Sequence, residues 1–95
     1  MEVRVRVPTQ LRDVVGGERL VTVHIADENA TVDAVLDALA TVHPALERRI
    51  RDERGGVRPH VNLFVGADNV RDLDGTATTL ARGQDVSVIP AVSGG

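Results

Sequence analysis

The chain has 95 residues, 42% hydrophobic and 26% charged, which is enough for one domain with one core and leaves little chain for a deep catalytic cleft. A net charge of −3 and a single aromatic residue, Phe64, argue against nucleic acid and anionic membrane as partners, because those need basic surfaces and, for single strands, stacking platforms. All 11 basic residues are Arg and Cys is absent, so Schiff-base lysines, side-chain amine acceptors, thiol nucleophiles, disulfides and thiolate metal sites are excluded.

Residues 3–7, Val-Arg-Val-Arg-Val, alternate with period two and predict a strand with one apolar face. Residues 20–25 repeat the pattern, with Val21, Val23 and Ile25 on one side. Pro8 and Gly16-Gly17 between them read as turn and loop, so the two strands are expected to form an antiparallel hairpin. The period then changes. Val32, Val35, Leu36 and Leu39 make one stripe of an amphipathic helix, with Thr31 as N-cap and Asp33 in the first turn. Pro44 is expected to end or kink this helix near His43. Another turn or two follows over 45–51, stopped by Gly55-Gly56.

Residues 60–66 predict a third strand with Val61, Leu63 and Val65 on one face. Asp68-Asn69 reads as a turn, a brief strand is expected near Val70, and turns near Asp74-Gly75 and over 82–85. Residues 86–89 are the last strand, with Pro90 blocking its continuation. The simplest packing of this order is an α+β roll of the ubiquitin or β-grasp type. It has a mixed sheet of four to five strands and one main helix on one face. Residues 1–90 form the domain and 91–95 a flexible C-terminal diglycine tail. The solvated face of the sheet then carries Arg4, Arg6, Thr22, His24, His60, Asn62, Phe64, Ser87 and Ile89. Phe64 and Ile89 stand out there, and with Asn62 and His60 they form a candidate docking face.

Other constellations carry less. His24 and His60 would form a metal pair only if their strands were neighbours, and no site for a metal is expected. Asp72, Asp74 and Gly75 lack the carboxylates an EF-hand loop needs at Val70 and Ala81. The basic run from Arg48 to Arg58 reads as a solvated helix end before it reads as an acid-facing contact. The C-terminus says more. A strand is followed by Pro90 and then Ala91-Val92-Ser93-Gly94-Gly95, a tail thin enough to thread a partner's active-site channel with an α-carboxylate at its tip.

With that ending the chain resembles the ubiquitin-like sulfur carriers, the MoaD/ThiS-like family, over essentially its whole length. The landmarks are Val7-Pro8-Thr9-Gln10-Leu11-Arg12, Gly16-Gly17, His43-Pro44-Ala45-Leu46 and His60-Val61-Asn62-Leu63-Phe64-Val65. Asp68-Asn69-Val70-Arg71 and Val88-Ile89-Pro90-Ala91-Val92-Ser93-Gly94-Gly95 complete them. Ser93 stands where Ala is commoner, and Gly66-Ala67 where Asn-Gly or Asn-Asp is usual.

The resemblance implies a protein cosubstrate rather than an enzyme. An E1-like enzyme, using ATP and Mg²⁺, adenylates the carboxylate of Gly95, and the acyl-adenylate becomes a thiocarboxylate. The carrier binds no cofactor itself. Ala91, Val92, Ser93 and Gly94 thread the partner's active site. The length and the Pro8-Thr9…Leu11-Arg12…Gly16-Gly17 opening look most like the cysteine-biosynthesis branch (CysO-like), whose acceptor is a pyridoxal-phosphate cysteine synthase. Thiosugar and molybdopterin synthases stay open as acceptors. The alternatives are a ubiquitin-like modifier conjugated through Gly95, and a passive interaction domain whose tail is irrelevant. The chain is expected to be cytoplasmic, since Met1-Glu2-Val3-Arg4 opens no apolar leader and no apolar run approaches the ~18 residues of a membrane span. When free, it is expected to be a monomer.

Overall fold

The structure, a computed structural model, describes residues 1–90. Strands β1 (Glu2–Arg6) and β2 (Leu20–His24) are followed by helices α1 (Val32–Val42) and α2 (Pro44–Ile50). Strands β3 (Val61–Val65), β4 (Asp68–Asn69) and β5 (Val86–Pro90) complete the sheet, whose order is β2-β1-β5-β3-β4. β1 pairs antiparallel with β2 and parallel with β5, and β3 pairs antiparallel with both β5 and β4. This is the expected mixed α+β roll of the β-grasp type, with five strands.

The core follows the alternation. Val3, Val5 and Val7, Val21 and Val23, Val61, Leu63 and Val65, and Val86 and Val88 are all buried against Val32, Val35, Leu36 and Leu39 of α1 and Leu46 and Ile50 of α2. Each such side chain contributes about 1.5–3 kcal/mol when fully buried. Ile25, expected with them, is only partly buried, because it lies one residue beyond the end of β2.

Thr31 caps α1 as anticipated: its Oγ1 accepts from the backbone N–H of Ala34 at 3.1 Å. A second donor at this end, the N–H of Val32, goes to the carbonyl of Thr78 at 3.0 Å, and Leu80 N–H returns to the carbonyl of Ala30 at 2.9 Å. The stretch 78–80 thus serves as a lateral brace for the start of the helix. Pro44 does end α1. It becomes the first residue of α2, a position where its missing N–H costs nothing.

Three local expectations change. The segment between β1 and β2 is a 3-10 helix over Thr9–Val15 rather than open loop; it ends at Gly16 and Gly17, whose φ values of 67° and 86° are accessible to Gly at no steric cost. The short strand is Asp68–Asn69, and Val70 begins a 3-10 turn with its side chain buried, since Asn69 Oδ1 accepts from Arg71 N–H and caps that turn. Pro90 belongs to β5 and stands opposite Val61; it ends the described strand rather than following it.

Candidate functional site

The sheet order decides what surrounds the C-terminal strand. β5 lies in the interior of the sheet, between β1 and β3. One register row runs across the outer face as Leu20, Arg6, Ser87, Phe64 and Asn69. The next pairs Ile89 with Asn62. Phe64 and Ile89 are therefore diagonal neighbours on β3 and β5, the kind of spacing long side chains can bridge.

Of the four expected docking residues, Ile89 is the most open apolar one, at 46% exposure. Phe64 is half-buried. Asn62 is also half-buried and accepts at Oδ1 from Nδ2 of Asn69 at 3.4 Å. His60 is exposed but sits one residue before β3, outside the sheet register. The four do not form one continuous apolar patch.

What the sequence reading missed lies on the other flank of Ile89. Arg6, Val7, Pro8, Arg12, Arg19, Leu20, Ser87, Val88 and Ile89 line a cleft of about 430 Å³ at the end of β5. Val7 N–H donates to Arg19 carbonyl at 2.8 Å, extending the β1–β2 pairing into its wall. Arg12 Nε donates to the Val7 carbonyl at 3.1 Å, which fixes the stem of that side chain along the 3-10 helix. Leu20 is 37% exposed. One signal was available beforehand: with Val21 and Val23 pointing inward, Leu20 has to point outward.

Two clusters of charge elsewhere are engaged within the fold. Asp85, with a side chain only 16% exposed, accepts from Arg4 Nε at 3.0 Å and Arg6 Nη2 at 3.1 Å. Arg51 meets Glu47 at 2.8 Å, Asp37 at 2.9 Å and Asp33 at 3.7 Å, which ties α2 to α1. Burial opposes the charge on Arg51, but hydrogen bonds to Glu47 and Asp37 outweigh it and raise its pKa above the ordinary arginine value. Within the basic run, Arg48 and Arg49 occupy the exposed last turn of α2 while Arg58 Nε donates to the Arg48 carbonyl at 2.9 Å.

His24 and His60 are not on neighbouring strands: β1 and β5 separate β2 from β3. Among the described residues no group of three or more His, Cys, Asp or Glu side chains is placed to hold a metal ion, and no helix is long and apolar enough to cross a membrane. Ala91, Val92, Ser93, Gly94 and Gly95 lie outside the described residues.

Comparison with known proteins matches residues 5–95 to the ThiS family. The chain is 39% identical over 95 residues to small archaeal modifier protein 3 of Haloferax volcanii, covering all of both chains. It is 34% identical over 97 residues to the sulfur carrier protein CysO of Mycobacterium tuberculosis, again covering all of both. Among solved structures, a chain of the Amycolatopsis orientalis BexX/CysO complex superposes with a TM-score of 0.84 at 30% identity, covering 98% of this chain and 99% of that one. The sheet order, the paired helices and a family match that runs through the diglycine lead to one conclusion: the chain belongs to the ThiS family of ubiquitin-like sulfur carrier and modifier proteins.

Proposed function

We propose that this chain is a sulfur carrier that works through the carboxylate of Gly95. The observation that carries the reading is the family match itself, which extends from residue 5 through the terminal Gly94-Gly95. A carboxylate is a poor electrophile, so the chemistry needs an activating enzyme. In the first step a carboxylate oxygen of Gly95 attacks the α-phosphorus of ATP bound with Mg²⁺, and pyrophosphate leaves. In the second a sulfur nucleophile supplied by the partner, at the sulfide oxidation level, attacks the acyl carbon and AMP leaves. The product is a thiocarboxylate, which an acceptor enzyme consumes, returning the carboxylate. The chain's own part is to fold, to dock and to present the tail, and for this it needs no cofactor, Cys or Lys.

Cysteine biosynthesis is the acceptor pathway we propose first, supported by full-length similarity to CysO. A thiosugar or molybdopterin synthase would use the same thiocarboxylate. The complex of the Amycolatopsis CysO with a second protein, BexX, supports the idea that such carriers act while docked on partners.

Incubation with an E1-like enzyme, ATP, Mg²⁺ and a sulfide source should add about 16 Da, oxygen replaced by sulfur, at Gly95. Deletion of Gly95 should abolish the gain and leave the thermal transition unchanged. No gain with a partner that converts a known carrier would overturn the reading.

A second reading, a protein modifier joined through Gly95, is favoured by the 39% identity to small archaeal modifier protein 3. It predicts Gly95-dependent conjugates on a denaturing gel. Because the sequence contains no Lys, those conjugates would not extend into chains linked through this protein's own side chains. If deleting Gly95 changed neither sulfur transfer nor conjugation, the passive interaction domain would be the reading left.

A further inference from the structure

The sheet has two outer edges, and they are built differently. β4 is two residues long, carries the exposed Asp68 and runs straight into a 3-10 turn, all of which blunt an edge. β2 runs for five residues as Leu-Val-Thr-Val-His, with no Lys, Pro or acidic residue within it, and no other described strand pairs with its far side. The ladder fixes which backbone groups that side presents. At one end Val7 N–H donates to the Arg19 carbonyl at 2.8 Å. At the other, Ile25 N–H donates to the Met1 carbonyl at 2.8 Å and the Met1 amine donates to the Ile25 carbonyl at 2.7 Å. Antiparallel pairing alternates, so Val21 and Val23 also turn their N–H and C=O groups to β1, and those of Leu20, Thr22 and His24 point outward.

Apolar surface collects along the same edge. Leu20 is exposed on the outer face, and Val42, the last residue of α1, is 55% exposed. Between β2 and α1 lies a groove of about 240 Å³ lined by Thr22, Val23, His24, Ala38, Thr41 and Val42. Just outside the strand, Arg19 and Asp27 stand beyond opposite ends, neither in an ion pair among the described residues. A strand laid on this edge would meet the open backbone groups throughout, and it would fit best with a cation beside Asp27 and an anion beside Arg19. β2 of a second copy, laid antiparallel, brings both.

We infer that the open edge of β2 is a homodimer interface, in which two copies pair antiparallel about a two-fold axis at Thr22. In that register Leu20 stands opposite His24 of the second copy, Thr22 opposite Thr22, and His24 opposite Leu20. Each pair exchanges two backbone hydrogen bonds, so every outward group of the strand is satisfied. The two sheets become one, the two α1 helices lie on the same face, and Ala38, Thr41 and Val42 of each copy line the seam between them. A five-residue edge is small beside the about 1,200–2,000 Å² that stable complexes bury, so the dimer is reversible, and the free monomer expected from the sequence is its dilute form. β5 runs parallel to β1 and so antiparallel to β2. The two-fold axis therefore sends the ends of the two β5 strands to opposite ends of the joined sheet and covers neither. The dimer goes beyond the carrier reading; it neither needs that chemistry nor obstructs it.

Sedimentation equilibrium of the full-length chain tests the inference. The wild-type mass should climb toward twice the monomer value between about 10 µM and about 1 mM, the range of a small, reversible interface. Thr22→Glu and Thr22→Lys each set like charges directly opposite one another at the axis, on an exposed side chain whose replacement leaves the core intact. Each variant alone should self-associate about tenfold more weakly than wild type, and an equimolar mixture of the two should regain wild-type association, because Glu then faces Lys. Ala67→Glu, at an exposed site beside β4, adds the same charge as Thr22→Glu and should associate as wild type does. The inference is overturned by a wild-type chain that stays monomeric to the top of that range, or by Thr22 variants that associate normally. It is overturned equally by a mixture no stronger than its components, or by an Ala67 variant as weak as Thr22→Glu. Mass gain at Gly95 is read separately and decides the carrier reading alone.

Discussion

Arg4 donates from Nε to Oδ1 of Asp85 at 3.0 Å, joining residues 81 positions apart in the chain. The second oxygen of the same carboxylate takes Arg6 Nη2 at 3.1 Å. Arg4 and Arg6 lie on the same face of β1, and Asp85 immediately precedes β5, so this carboxylate bridges the one parallel pairing among the described strands. Asp85→Asn should cost about 0.5–1 kcal/mol, since the arginines are over half exposed and the pairs are partly screened. In a chain of this size that lowers Tm by about 2–8 °C. The difference from wild type should shrink in 1 M salt, and a thermal melt at two salt concentrations checks it.

Arg51 carries more of the architecture. Its side chain is only 11% exposed and holds Glu47 of α2 and Asp37 of α1 on one guanidinium. Arg51→Ala should cost about 1.5–3 kcal/mol, from lost charge-assisted hydrogen bonds and from carboxylates left facing one another. Arg51→Lys should recover only part of this, because one ammonium does not reproduce the planar fork that engages two partners at once. Urea denaturation gives both differences.

Leu36 of α1 is fully buried beneath the sheet. Leu36→Ala should lower stability by about 2–5 kcal/mol, the range for a leucine cavity that the surroundings only partly fill. The midpoint in urea should fall with an unchanged m-value.

Thr31→Ala removes the acceptor that satisfies Ala34 N–H. The expected loss is about 1 kcal/mol. Thr31→Asp should hold stability near wild type, because it restores an acceptor at the N-cap. Hydrogen exchange at Ala34 should quicken in the alanine variant before exchange in the sheet does.

Ile89 and Phe64 should separate in their effects. Ile89→Thr, at an exposed site on β5, should change stability by less than about 1 kcal/mol. Phe64→Thr, at a half-buried site on β3, should cost about 1–2 kcal/mol. If Ile89, the more exposed of these two candidate docking residues, carries the contact with a partner, Ile89→Thr should weaken activation more than Phe64→Thr does, despite being the milder change to the fold.

The parts of this protein that depend on neighbours in sequence were legible in advance. The stripe Val32, Val35, Leu36 and Leu39 carries its own period, Thr31 its own capping chemistry, and Pro44 its own prohibition on continuing α1. The inward set of the strands followed from strict alternation, apart from Ile25 beyond the end of β2. The diglycine ending and the absence of Cys and Lys were equally plain.

Adjacency was a different matter. Nothing local says that β5 inserts between β1 and β3, because that choice is made by which arrangement buries all the apolar faces at once. From it follow the meeting of Asp85 with Arg4 and Arg6, the separation of His24 from His60, and the placement of Arg12, Arg19 and Leu20 beside Ile89. The residues beside Ile89 could be named from the sequence only on β3 and β5, where alternation showed them. Those contributed by the 3-10 helix and by the start of β2 reach the same place through pairings between distant segments, and only the folded chain sets that distance.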